Sequence, residues 1–333
     1  MCVASVLLIA SRLAEKSDSR LQHSKAFGMN TLTTIADLAD LSGPIAIAAG
    51  VFDGVHLGHR AVITSALEFA SAQNGSAVVL TFDPHPTSVL RPGNASPLLT
   101  STRHKLRILK TLGVQHALVI HFDKTFAATA PADFIQQLAA ACPLRQICVG
   151  QDWAFGKGRA GNLALLTELG PKLGFHASGI PNVTVDGQPV SSTAIRAAVQ
   201  RGDLPTAQGL LGREFSLFGT VIAGNKLGRT IGFPTANIRP ENEQLPPNGV
   251  YAITATLGTG NIRGVANIGL RPTVQDADKE RLLEVHLFDF SGALYGADLE
   301  IHFRRFIRAE QKFPSLDALK ARIAEDAASA REE

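Results

Sequence analysis

A chain of 333 residues has the length of two ordinary domains, and 45% hydrophobic against 18% charged residues suits substantial buried cores. Its 32 Lys and Arg nearly balance 29 Asp and Glu, and a formal charge of +3 gives no grounds to expect nucleic acid or membrane as a partner. Cys2, Cys142 and Cys148 are too few and too irregular for a disulfide framework or a structural zinc site. Buried inert thiols and a reducing cytoplasm are the expectation.

The apolar run Val3–Ala10 lacks a basic flank and is too short to span a bilayer, and Ser11–Phe27 shows no periodicity. Residues 1–28 read as a disordered extension outside the fold. Ile45–Ala49 is a short continuous apolar run of the kind buried in a parallel sheet, and Leu57–Ala70 places apolar residues at helical spacing. Ser76–Phe82 is a second buried strand. Pro84–Pro97, with four prolines, predicts a long mobile loop. The alternation continues with a helix at Arg103–Leu112, a strand at Ala117–Phe122, a helix at Ala132–Ala141 and a strand at Gln146–Gly150. A helix at Leu163–Leu173 and a strand at Phe175–Ile180 complete it. Strand and helix alternating in this way imply an α/β domain with a doubly wound parallel sheet, over residues 29–210.

Past Leu211 the character changes. Phe215–Ile222, Val250–Leu257, Ile262–Ile268, Leu282–Phe290 and Asp298–Phe306 read as strands, with no helix until Ser315–Ala324. Such a series predicts a small antiparallel β-barrel over residues 211–333.

Gly50–His59 sits where the first strand meets the first helix, a position that favours phosphate. His56 and His59 fall on one face of the first turn and can contact a triphosphate. An isolated pair at this spacing is more often two surface histidines, but the strand–turn–helix setting favours chemistry. Ser192 and Thr193 open a helix with exposed donors and hydroxyls, and Arg196 adds a charged fork suited to phosphate; an ordinary capped helix is the bland alternative. In the second half, Gly224, Gly228 and Gly232 allow a loop to fold its amides around phosphates. Thr235 and Asn237 then offer oxygen ligands from one face of an extended segment, and with ATP phosphates they suit Mg²⁺.

These residues carry a resemblance. His56-Leu57-Gly58-His59 resembles the H-x-G-H motif of nucleotidylyltransferases, and the flanking Gly50–His59 resembles the FMN adenylyltransferase module of bacterial FAD synthetases. Thr81–Pro86, Val149–Gly156 with Arg159–Asn162, and Ser191–Arg196 are similar to that module's later motifs. Asp83 stands where the family usually has Glu. Gly224–Asn237 resembles the riboflavin kinase signature around P-T-A-N, as do Gly249–Ala252, Gly264–Thr273 and Leu283–Asp289.

The resemblance covers roughly residues 30–325 and implies a bifunctional riboflavin kinase/FMN adenylyltransferase. On it, Glu284 is the catalytic base of the kinase, and Gly50, Phe52, Asp53, Gly58 and Arg229 join the nucleotide sites. His85, Asp152, Arg271 and Thr273 line the flavin. ATP, riboflavin, FMN, FAD and pyrophosphate are the implied small-molecule partners. A homo-oligomer is left open. A chain with only one working module, or a flavin-binding protein without turnover, is the rival reading.

Overall fold

The structure, a computed structural model, describes residues 28–223, 232–270 and 281–332. The expectation for residues 1–27 lies outside these. Two compact units divide the chain: residues up to Ser96 with Lys105–Val183, and Pro97–His104 with the chain from Thr184 onward.

The first unit is built on six parallel strands: β1 (Asn30–Leu32), β2 (Ile45–Ala49), β3 (Ser76–Asp83), β4 (His116–His121), β5 (Leu144–Gly150) and β6 (His176–Ile180). Their order is β1-β4-β3-β2-β5-β6. All five residues of β2 are buried, so alternate side chains feed two cores. On one face Ile45 and Ile47 join Val78, Leu80, Ile147 and Val149 beneath helices α3 (Pro131–Ala141) and α4 (Leu163–Leu173). On the other, Ala46, Ala48, Val79 and Cys148 meet Val62, Ile63 and Ala66 of α1 (Leu57–Ala72) and Leu109 of α2 (Thr102–Thr111). The small residues Ala46 and Ala48 let α1 lie close over β2. From β2 the chain adds β3 and β4 on one side and then β5 on the other. The carboxyl ends of β2 and β5 therefore flank a topological switch point, where open parallel sheets hold their ligands.

The second unit holds a closed antiparallel barrel. Its strands are β7 (Phe215–Ile222), β8 (Ala236–Pro240), β9 (Gly249–Leu257), β10 (Gly260–Leu270), β11 (Arg281–Leu287) and β12 (Asp298–Arg308). The barrel order is β8-β11-β10-β9-β12-β7, with β7 pairing back to β8. Tyr251, Phe303 and Phe215 fill the interior, and the Tyr251 hydroxyl donates to the Pro247 carbonyl at 2.7 Å. Helices α5 (Ser192–Arg201) and α6 (Leu204–Leu211) precede the barrel, and α7 (Leu316–Arg331) follows it.

Ser216 and Phe218 point outward from β7, yet both are buried. A hydrogen-bonded polar network explains the first. His104 Nε2 donates to Glu300 at 3.0 Å, Ser216 Oγ donates to the same carboxylate at 3.0 Å, and Asn242 Nδ2 donates to His104 Nδ1 at 3.1 Å. Burial lowers the His104 pKa against the pull of Glu300. Burial alone would raise Glu300, but its hydrogen bonds hold it down to about 2.

The structure bears out the α/β-plus-barrel reading and adds elements that carry weak sequence signals. β1 is only three residues long. The short strand β8 lies in what reads as an extended segment. In the Pro84–Pro97 stretch, Pro86–Leu90 forms a helical turn because Pro86 fits its start and His85 Nδ1 accepts from the Thr87 amide at 3.2 Å. Helix α6 starts where Asp203 accepts from the Thr206 amide at 3.1 Å. Cys148 is fully buried and Cys142 half-buried, and burial raises both thiol pKa values, Cys142 to about 11.

Because Ile47 is fully buried in the central strand, Ile47→Ala should lower unfolding stability by about 2–5 kcal/mol. Urea denaturation followed by circular dichroism checks this. A loss below about 1 kcal/mol would mean that the β2 core collapses around the vacancy.

Candidate active sites

Between β2 and α1 the backbone takes an unusual path. Phe52 has φ 54°, Gly54 has φ 83° and Val55 has φ 42°. A positive φ at a non-glycine, and above all at a β-branched residue, is strained and persists only where the surroundings hold it. Two glycines make the path sterically open. A Cβ on Gly50 would lie 2.9 Å from the Phe52 ring, and one on Gly58 would lie 3.2 Å from the His56 ring. Phe52 thus folds under the strand end, and His56 folds back over the helix start.

His56 is the N-cap of α1, and its Nδ1 accepts from the His59 amide at 3.2 Å. That bond occupies the Nδ1 lone pair, so the neutral imidazole carries its proton on Nε2. The two rings stack with centroids 3.5 Å apart and 16° between planes, and Phe52 meets His59 edge-on at 5.3 Å. A stacked pair at the start of a 16-residue helix combines imidazole donors with backbone amides, a combination suited to phosphate. His85 repeats the device at the end of β3: its Nδ1 accepts from the Thr87 amide and lies 2.7 Å from the Thr87 hydroxyl. Asp53 is buried, with 3% exposure. Past β5, Asp152 accepts from Asn182 Nδ2 at 2.6 Å, and Trp153 stacks on Phe155 at 4.4 Å. Topology therefore brings the Gly50–His59 and Gln151–Phe155 segments to the same switch point.

The barrel contains a cavity of about 360 Å³ lined by Thr235, Asn237, Asn267, Glu284, Glu310 and Phe313, among others. Strand pairing arranges its chemistry. Glu284 lies opposite Asn237 across the β8–β11 ladder and opposite Asn267 across the β10–β11 ladder. One carboxylate thus sits in a row between two amides. His286 approaches the Pro234 carbonyl through Nδ1 at 2.9 Å and meets Phe233 edge-on. On the cavity wall, Arg308 grips Asp326 with three contacts of 2.7–3.0 Å, tying α7 to β12. Thr235 is exposed and Asn237 buried, and both line this cavity. Among the described residues no cluster of three His, Cys, Asp or Glu could hold a metal by itself. A metal here would share its coordination with a ligand's phosphates.

The structure thus gathers His56, His59, Gly50, Phe52, Asp53 and Gly58 in one turn, and Thr235, Asn237 and Glu284 around one cavity. Ser192, Thr193 and Arg196 lie on α5, in the second unit. Ser191, one residue earlier than Ser192, is the cap there, accepting from the Ala194 amide at 3.2 Å, and Arg196 Nε donates to the Pro97 carbonyl at 2.7 Å. Gly232 is exposed, with φ 88°. Gly224, Gly228, Arg229, Arg271 and Thr273 lie outside the described residues. Sequence reading assigns nothing to Asn267 or Lys105. Asn267 becomes visible only through strand pairing, and Lys105 only through burial beside Asp53.

Fold and sites together define a two-unit phosphotransfer enzyme, with a nucleotidylyltransferase-type parallel sheet and a kinase-type closed barrel. The FAD synthetase family model matches residues 39–194 and the riboflavin kinase model matches residues 211–333. The bifunctional riboflavin kinase/FMN adenylyltransferase of Escherichia coli is 42% identical, over 86% of this chain and 91% of that one. Its counterpart from Bacillus subtilis is 37% identical, over 84% and 89%. A crystal structure titled as a macrolide-efflux protein from Streptococcus pneumoniae matches with a TM-score of 0.78 at 28% identity, over 92% of this chain and 99% of that one. Among the described residues no helix is long and apolar enough to cross a membrane. The chain belongs to the bifunctional riboflavin kinase/FMN adenylyltransferase family.

The capping geometry fixes two tautomers. At a pH where the imidazoles are neutral, ¹⁵N-correlated NMR should show His56 and His85 as Nε2–H tautomers. Nδ1–H at either ring would contradict the caps.

Proposed function

We propose that this chain makes FAD from riboflavin in two ATP-dependent steps, each at its own site. The observation that supports this reading is that each matched region holds a cluster of candidate groups: the stacked histidines at the start of α1, and the Asn237–Glu284–Asn267 row in the barrel.

In the kinase step, Glu284 takes the proton of the riboflavin 5′-hydroxyl as that oxygen bonds to the γ-phosphorus of ATP and ADP leaves, giving FMN. Asn237 and Asn267 on either side limit where the carboxylate can sit. Thr235 and Asn237 would hold Mg²⁺, which when bound with ATP offsets phosphate charge. The family resemblance assigns phosphate binding to Gly224, Gly228, Arg229 and Gly232, and flavin binding to Arg271 and Thr273.

In the second step, an FMN phosphate oxygen bonds to the α-phosphorus of a second ATP and pyrophosphate leaves. His56 and His59 donate to the charge that develops there, and the Gly50–Gly58 turn with Phe52 and Asp53 shapes the nucleotide site. The family resemblance assigns Ser192, Thr193 and Arg196 as further donors for this step, and His85 and Asp152 to the flavin. No covalent enzyme intermediate is needed, since position and electrostatics suffice. We assign residues 29–210 to the adenylyltransferase and 211–333 to the kinase, and place the protein in the cytoplasm.

Separate sites should come apart by mutation. Glu284→Gln should reduce riboflavin phosphorylation by ~10²–10⁴-fold and leave the adenylylation of supplied FMN near wild type. His59→Ala should stop the mixture at FMN, with adenylylation reduced by ~10²–10³-fold. Both are read by chromatographic separation of riboflavin, FMN and FAD. A folded Glu284→Gln protein that cannot adenylylate FMN would refute the two-site assignment.

Asn237→Ala should raise the Mg²⁺ concentration needed for half-maximal FMN formation. An unchanged Mg²⁺ titration would remove Asn237 from the metal site.

A further inference from the structure

Lys105 on α2 is 3% exposed, and nothing in the mechanism above uses it. Its Nζ donates to the Val51 carbonyl at 2.7 Å and to the Thr81 hydroxyl at 3.1 Å, while the same hydroxyl donates to the Val51 carbonyl at 2.9 Å. Burying a lysine ammonium is costly, so its contacts indicate what the fold holds in place. The carbonyl it grips belongs to the residue before Phe52, the first positive-φ position of the strained turn. From Phe52 the contacts run on: its ring meets His59 edge-on at 5.3 Å, and His59 stacks on His56.

We propose that Lys105 is the positioning residue of the adenylyl-transfer site, clamping the Val51 carbonyl so that the Phe52 turn presents His59 and His56 to the reacting phosphate. This rests on reading the two histidines as groups of adenylyl transfer. The charged groups that bear on Lys105 are buried Asp53, in the turn after β2, and exposed Asp83, at the end of β3. Burial pushes its pKa from the ordinary 10.5 down to about 8, and these two carboxylates pull it back up.

Loss of the proton turns a charge-assisted clamp into a neutral one and removes a positive charge near Asp53. Adenylylation should therefore weaken as pH rises through about 8. Stability moves the other way. Between the folded value of about 8 and the ordinary 10.5, the unfolded chain binds more protons than the folded one, so this group's contribution to stability rises with pH. Lost activity in that window is then not unfolding driven by Lys105.

The test measures kcat/KM for FMN adenylylation, and in parallel for riboflavin phosphorylation, from about pH 6 to 10 in wild type, Lys105→Met and Asp83→Asn. Wild type should show a one-proton alkaline limb near 8 in adenylylation only. Lys105→Met should lose ~10–100-fold in adenylylation at neutral pH, keep phosphorylation, and show no such limb. Asp83→Asn should move the limb to lower pH, since it removes a charge that raises the Lys105 pKa. That shift decides the matter if Lys105→Met does not fold. A limb unchanged in Lys105→Met, unmoved in Asp83→Asn, or shared by both activities would overturn the proposal. Failure of the underlying reading looks different: His59→Ala would then adenylylate FMN at the wild-type rate.

Discussion

A chain that leaves a strand buried on both faces and must start a helix within a few residues has little freedom in its backbone. Here that constraint falls on the turn between Ala49 and Leu57, where Phe52 and Val55 adopt positive φ. Each such residue costs roughly 1–3 kcal/mol. A hydrogen bond from a charged donor contributes about 1.5–3 kcal/mol, comparable to one strained residue, and burial of the Phe52 ring contributes about as much again. Contacts of this size suffice to hold the turn. The placement of both histidines follows from it, because His56 can cap α1 and stack on His59 only where Gly58 leaves room for its ring.

The barrel reaches its site by a different constraint. The β8–β11 register sets Asn237 opposite Glu284, and the β10–β11 register sets Glu284 opposite Asn267, within a barrel closed by the β7–β8 pairing. A one-residue slip of β11 would turn Glu284 to the other face, away from both amides. The Arg308–Asp326 pair then fixes α7 against β12 and lines the same cavity. Irregular backbone makes the first site, and regular pairing makes the second. One is tuned by strain and a buried charge, the other by which residues share a rung.

Much of this is legible in the amino-acid sequence. The apolar runs Ile45–Ala49 and Ser76–Phe82 point to buried parallel strands, and His56 with His59 stands out because it follows such a run directly. What stayed hidden has physical causes. Asn267 acquires meaning only from its partner strands, and no local pattern reveals that pairing. Lys105 sits in a polar stretch, Arg103–Arg107, that reads as a solvated helix face, and its burial depends on a turn more than forty residues earlier. His104 beside it hides for the same reason, since its partners Glu300 and Ser216 lie far along the chain. The short strand β8 carries Pro240 and Asn237, which weaken any strand signal, and closure of the barrel overrides that.

The central claim is that two different phosphorus atoms of ATP react on one chain. Isotope placement tests it directly: incubate the purified protein with riboflavin, Mg²⁺ and ATP labelled either at the γ- or at the α-phosphate, then separate FMN from FAD. The account predicts that γ-label enters FMN and persists in FAD, while α-label enters FAD alone. An α-label that never reaches a flavin, or a γ-label absent from FMN, would contradict it.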